Sequence, residues 1–191
     1  MQNRCASFLL CLTGLLTFNG ELSAAPPTSL TSVATETTLD DAQKKRIKEY
    51  TVYWLDMLKT GTPEQATRAR NKLVEPVRSM LGSSSSLFRS TYSGDVIPTL
   101  QKIVEGDDLF RAVNALQITG FLGSDRAMRL LVETEDPDVE ASPEKRLWAT
   151  IAIREALKNG DLSPRKVSST VRSVARAAST EKDWRVLMRE M

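Results

Sequence analysis

The chain has 191 residues and nearly balanced charge, with 26 Lys and Arg against 24 Asp and Glu, which is unlike the concentrated positive charge of a nucleic-acid binder. It has no histidine, and its two cysteines, Cys5 and Cys11, both fall in an N-terminal apolar stretch. The usual zinc, haem and iron–sulfur ligand sets are therefore missing from the rest of the chain, as are Ser-His-Asp and Cys-His nucleophile systems, and no cofactor or metal is expected.

The N-terminal stretch has the three parts of a secretory signal. Arg4 gives a positive start, an apolar run extends from Phe8 through Leu12 to Leu15, Leu16 and Phe18, and Ser23-Ala24-Ala25 supplies small residues. Cleavage is expected after Ala24, since a cut after Ala25 would place Pro26 first. The run is shorter than the roughly 20 residues that span a bilayer, so no membrane insertion is expected after cleavage. Leu10, in the place where a lipoprotein signal needs a small residue, argues against acylation at Cys11. The product is expected to be exported, periplasmic or secreted. Residues 25–37 are rich in Pro, Ser and Thr without an apolar period, and read as a disordered linker.

From there the pattern is helical throughout. The first helix is expected from Thr38 or Asp40 to about Lys59, with Ile47, Tyr50, Trp54, Met57 and Leu58 as its stripe and Gly61 as its stop. Thr62-Pro63-Glu64-Gln65 opens the second with a capping box. Ala66, Ala69, Leu73, Val77 and Met80 form its buried face, and Pro76 is expected to kink or split it near Glu75. Ser83 to Ser86 reads as a loop. Leu87, Phe88 and Tyr92 begin an apolar segment that Ser93-Gly94 interrupts, and Asp95 caps a further helix with Pro98 in its first turn and Gly106 at its end. Asp107 or Asp108 caps the next, which runs to the tight turn Gly123-Ser124. A short helix follows with Ala127, Leu130 and Leu131. Ser142-Pro143 starts a helix whose stripe reads Leu147, Trp148, Ile151, Ala152 and Leu157. Ser163-Pro164 starts another, with Val167, Val171, Val174 and Ala178. Trp184, Leu187 and Met188 begin the last. No alternating strand pattern is present.

Three segments start alike at a step of 37 residues: Asp107-Asp108-Leu109-Phe110, Glu144-Lys145-Arg146-Leu147 and Glu181-Lys182-Asp183-Trp184. Ala112, Ala115, Leu116 and Gly123 fall on Ala149, Ala152, Ile153 and Gly160. A period of that length is one helical pair and predicts a stacked α-solenoid. The run Arg111 to Gly123, with its Ala-Leu pair and closing Gly, and the acidic turn Asp136-Pro137-Asp138-Val139 resemble HEAT-like repeats. The resemblance covers residues 107 to about 180. Trp148, Thr150 and the lengthened join Glu135 to Ser142 depart from it. Residues 38–106 are read as an N-terminal helical segment and 107–191 as HEAT-like repeats, the last incomplete at Met191 as either a short cap or part of a longer array. The resemblance implies a scaffold that binds other proteins along a curved face, which is analogy of fold alone.

Two charged features stand out. Glu133, Glu135, Asp136, Asp138 and Glu140 crowd one loop, but Pro137 and the lack of glycine fit a turn between helices better than a calcium loop. Between Lys145 and Arg189 there are eleven Lys or Arg and four Asp or Glu. Arg165, Arg172 and Arg176 share one side of a helix. With Glu135, Asp136 and Asp138 they form the expected partner surface, read against the alternative of ordinary solvated faces. Trp54, Trp148 and Trp184 fall on apolar stripes, with Trp184 the one best placed to anchor a partner. No carboxylate pair is singled out for acid–base chemistry. The expected function is a non-enzymatic protein-binding scaffold module of a cell envelope. The alternatives are an envelope enzyme or ligand carrier using carboxylates, and a structural fragment of a longer helical array.

Overall fold

A computed structural model of the protein describes residues 26–78, 84–160 and 162–190. Every regular element among them is an α-helix: α1 Thr31–Ala34, α2 Asp41–Thr60, α3 Pro63–Arg78, α4 Ser86–Val104, α5 Leu109–Leu122, α6 Asp125–Glu135, α7 Pro143–Asn159, α8 Pro164–Thr180 and α9 Trp184–Glu190. The expected signal peptide, Met80, Ser83, Asp161 and Met191 lie outside the described residues.

Short polar side chains set the helix starts. Asp40, Ser85, Asp108, Ser124, Ser142 and Ser163 each accept the backbone N–H three residues on, an interaction worth about 1 kcal/mol per cap. The capping box at α3 forms as expected: Gln65 Oε1 accepts from the Thr62 amide at 2.8 Å, and Thr62 Oγ1 from the Gln65 amide at 3.3 Å. Gly123 ends α5 in the left-handed conformation, at φ 52°.

Three expectations are corrected. Ser93-Gly94 does not interrupt α4, which is one helix from Ser86 to Val104. Phe88, Tyr92, Val96 and Leu100 recur at four-residue steps and are fully buried. Each contributes about 1.5–3 kcal/mol of burial, which outweighs the roughly 1 and 3 kcal/mol that Gly94 and Pro98 cost inside a helix. Residues 25–37 are not a free linker from Leu30 onward. Leu30, Val33 and Ala34 are buried, the Ser85 amide donates to the Ala34 carbonyl at 2.9 Å, and Arg46 Nη2 donates to the Ser29 carbonyl at 2.5 Å. One helical turn is too short to show a period. Finally, Pro76 does not split α3, which continues to Arg78.

The proline is accommodated by two tyrosines from neighbouring helices. Pro76 has no N–H to offer the Lys72 carbonyl four residues back. Tyr50 on α2 supplies the missing donor, its hydroxyl 2.6 Å from that oxygen. Tyr92 on α4 donates to the adjacent Leu73 carbonyl at 2.8 Å. Both rings are buried, and burial first, then the nearby Glu75 charge for Tyr50, pushes the Tyr50 hydroxyl well up in pKa. The phenols therefore stay protonated and keep donating.

The packing partners sort into two rows. α5 lies between α3 and α7, and α7 also meets α9; α4 lies between α2 and α6, and α6 also meets α8. The rows touch through α2 with α3, α4 with α5 and α6 with α7. One core cluster runs from Leu30 to Ala156, so residues 38–106 and the helices from α5 to α7 share it. No helix among the described residues is long and apolar enough to cross a membrane.

The closest approach is between α5 and α7. Their starts are joined where Lys145 Nζ donates to the Gly106 carbonyl at 3.0 Å, and their ends meet at Gly123 and Gly160. The two helices thus run parallel and side by side. A Cβ on Gly123 would stand 2.5 Å from the Gly160 Cα, and one on Gly120 would stand 2.9 Å from the Ala152 carbonyl oxygen. Ala112, Ala115, Ala149, Ala152 and Ala156 fill the rest of this seam and are buried.

Gly123→Ala is expected to destabilise the fold by about 1–3 kcal/mol, from backbone overpacking and a left-handed φ; urea denaturation would read it as a lower midpoint with unchanged slope. Tyr92→Phe is expected to cost about 1–2 kcal/mol, because the Leu73 carbonyl loses a buried partner; the same melt measures it.

Candidate functional site

Small residues thin out the packing at α8. Its sequence offers only valines and alanines on the inner side, and of these only Ala177 is buried, with Thr170. The expected stripe of Val167, Val171, Val174 and Ala178 is therefore covered only in part: Val171 is 53% exposed, Val167 and Ala178 are half-buried, and Val174 packs partly buried against the core. On α7 the buried positions are likewise shifted. Arg146, Ala149, Thr150, Ala152, Ile153 and Ala156 are inside, whereas Leu147, Trp148, Ile151 and Leu157 are half-buried.

An open groove of about 480 Å³ lies between α7, α8 and α9. Its apolar walls come from Ile153 and Leu157 on α7, Val171 and Val174 on α8, and Leu187 and Met188 on α9. Arg154 and Arg189 line it too, and among the described residues no carboxylate does. Met188 and Trp184, one turn apart on α9, are 64% and 68% exposed. Trp184 thus leaves the core, Trp148 is half-buried and Trp54 is buried as expected.

A buried ion pair positions α9 against α7. Arg146 donates to Glu181 through Nε at 2.6 Å and Nη2 at 2.9 Å, and through Nη1 to the Glu140 and Ala141 carbonyls at 2.9 and 3.0 Å. Glu181 Oε1 also accepts the Lys182 and Asp183 amides. These bonds, with Arg146 foremost, hold the Glu181 carboxyl below its usual range. Outside this pair, Arg185 bridges Asp183 and Glu144, and lowers the Asp183 carboxyl to about 2. The ion pair joins the start of α7 to the turn before α9, and sequence spacing alone gave no sign of it, because Arg146 sits where the 37-residue alignment has Leu109.

The expected partner surface divides. Arg165, Arg172 and Arg176 are exposed. Arg176 Nη2 pairs with Asp136 Oδ2 at 2.7 Å, so the basic face and the acidic loop are brought together. Asp138 is exposed, but Glu135 is fully buried and drops out of any surface. The Asp136 side chain caps its own turn through the Asp138 amide, and Glu140 accepts from Ser142. Asp136 and Glu140 are thus engaged in local bonds, and no group of three or more metal-ligating side chains occurs among the described residues. What the sequence did not mark is the groove itself: its α8 wall was legible as an apolar stripe, but not that the stripe would stay uncovered.

No family model matches the chain, and neither does any curated protein or solved structure.

Glu181→Ala is expected to cost about 3 kcal/mol at neutral pH by leaving Arg146 buried without its partner. Because the folded-state carboxyl is depressed, its contribution is present above the ordinary carboxylate range and disappears as pH falls through the depressed value. Urea melts at descending pH should show the wild-type and variant midpoints converging in acid.

Proposed function

We propose that the two rows of helices form a short α-solenoid of HEAT-like type, and that the exported protein is a non-enzymatic module that binds another protein through the groove between α7, α8 and α9. The repeat reading is supported by equivalent residues in equivalent places. Ala112 and Ala149, Ala115 and Ala152, and Leu116 and Ile153 are each buried pairs 37 residues apart, and Gly123 and Gly160 touch. In stacked repeats each unit hides its apolar face on the next. At α8 that cover is incomplete.

The observation that carries the binding reading is this uncovered apolar surface with a cationic rim. Val171, Trp184 and Met188 are exposed together with Arg154, Arg172 and Arg189. Tryptophan and arginine are among the residues enriched in binding hot spots. The groove's charge selects the partner chemistry: an amphipathic helix whose apolar edge enters between α7 and α8 and whose flanking residues are acidic. The carboxylate-enzyme alternative has less to rest on, since among the described residues no Asp or Glu lines this groove.

A panel of amphipathic peptides of about 18 residues, long enough to hold helix, tests the reading by fluorescence anisotropy. Acid-flanked helices are expected to bind, to weaken with salt, and to lose at least about tenfold in affinity with Val171→Glu. Equal binding of base-flanked helices, or no loss with Val171→Glu, overturns it.

A further inference from the structure

Three helix starts meet at a second, unrelated cleft. Because α4, α6 and α8 lie in one row, Ser86 at the start of α4, Ser124 and Asp125 at the start of α6, and Ser163 at the start of α8 line one space of about 590 Å³. Each helix start carries the equivalent of about half a positive charge. The cap serines satisfy the third amide of each helix, at Phe88, Ala127 and Lys166. The first amides of α6, from Asp125 and Arg126, have no acceptor within their own helix.

The side chains add to this. On α4, Ser86, Arg89, Ser90 and Ser93 recur at helical spacing and all line the cleft. Arg89 uses Nε on Ser84 Oγ at 2.5 Å and pairs with no carboxylate among the described residues. Arg126 on α6 makes no hydrogen bond or ion pair with them, and its Nη1 lies 3.8 Å from where a Cβ on Gly94 would be. Asp125, on the exposed rim, is the one carboxylate among the described residues that lines the space.

Ser93 is the independent sign that something is bound here. It is 2% exposed, it lines the cleft, and among the described residues its hydroxyl has no hydrogen-bond partner. An unmatched buried hydroxyl costs about 1–3 kcal/mol, and a mid-helix serine has an easy remedy in the carbonyl four residues back. Ser93 does not take it. Two guanidinium groups with no carboxylate partner among the described residues, helix-start amides and an unspent hydroxyl converge on one donor-rich space.

We propose that the cleft between the starts of α4, α6 and α8 binds a phosphate-type oxyanion, with Arg126 and Arg89 as the charged donors and Ser93 as the buried one. The volume exceeds that of a bare oxyanion and leaves room for the group that carries it. The shared chemistry is a phosphate ester, whether of a soluble metabolite or of a lipid headgroup. The site is separate from the groove at α7, α8 and α9, so either can fail without the other.

The test is titration of the full chain with inorganic phosphate and with glycerol 3-phosphate, followed by isothermal calorimetry. Saturable binding is expected, at least fivefold weaker in Arg126→Ala and unchanged in Arg172→Ala, which removes an arginine from the other face. Arg126 has no partner to lose among the described residues, so its variant should melt as the wild type does. Ser93→Ala separates binding from folding: it should melt higher without phosphate and bind phosphate more weakly. Flotation with phosphatidylglycerol vesicles, using phosphatidylcholine vesicles as control, assigns the source. Arg126-dependent flotation points to a lipid headgroup, and saturation by the soluble esters without flotation points to a metabolite. Absence of saturation by any phosphate probe, or equal affinity of the wild type and Arg126→Ala, overturns the proposal.

Discussion

The approach of α5 to α7 is the constraint on which the other features rest. Backbones can come this near only where side chains are absent or minimal, and Gly120, Gly123, Ala152 and Gly160 meet that condition at one seam. The seam sets how far one helical pair is displaced from the next. Because α4 and α6 ride on α5 and α7, the same displacement brings the helix starts of the other row to a common edge. A residue with a Cβ at Gly123 would push the pairs apart and disturb both rows.

Two polar devices hold what lies on either side of that seam. Toward the N-terminus, Tyr50 donates to the Lys72 carbonyl that Pro76 leaves without its helical donor, and Tyr92 donates to the Leu73 carbonyl beside it. Toward the C-terminus, the Arg146–Glu181 pair satisfies every strong donor and acceptor it buries. Both devices use side chains from one helix to complete the backbone or turn of another. They specify which helix is a neighbour, whereas alanine and leucine contacts specify only that some helix is near.

Much of the fold was legible because it is written in local chemistry. Asp40, Asp108, Ser124, Ser142 and Ser163 mark helix starts wherever they precede an apolar period, and Gly123 and Gly160 mark both the ends and the repeat. The misreadings share a physical origin. Ser93-Gly94 looks like a break locally, but the stripe from Phe88 to Leu100 runs across it and is buried by α2, α3 and α5, which no short window contains. Leu30 and Val33 were hidden among Pro, Ser and Thr because a single turn has no period. Val171 and Val174 announced an apolar face correctly. Whether a face is covered depends on how much its neighbour fills, and that is a property of α9 and of the small side chains of α8. The cleft at the helix starts was invisible for a different reason: Arg89, Ser93 and Arg126 come together only when two helices of one row are placed side by side.

The burial of the helices falls off in one direction. α5 buries eight of its residues, α6 and α7 six each, and α8 only two. A chain graded in this way does not open everywhere at once. Its least costly excursion is for α8 and α9 to lift as a unit, with the Arg146–Glu181 link as the last tether, while the glycine seam stays closed. Backbone amides in 164–190 would then exchange with solvent through partial opening, and those in 109–122 only through complete unfolding. The molecule acts as a firm body with one pliant side.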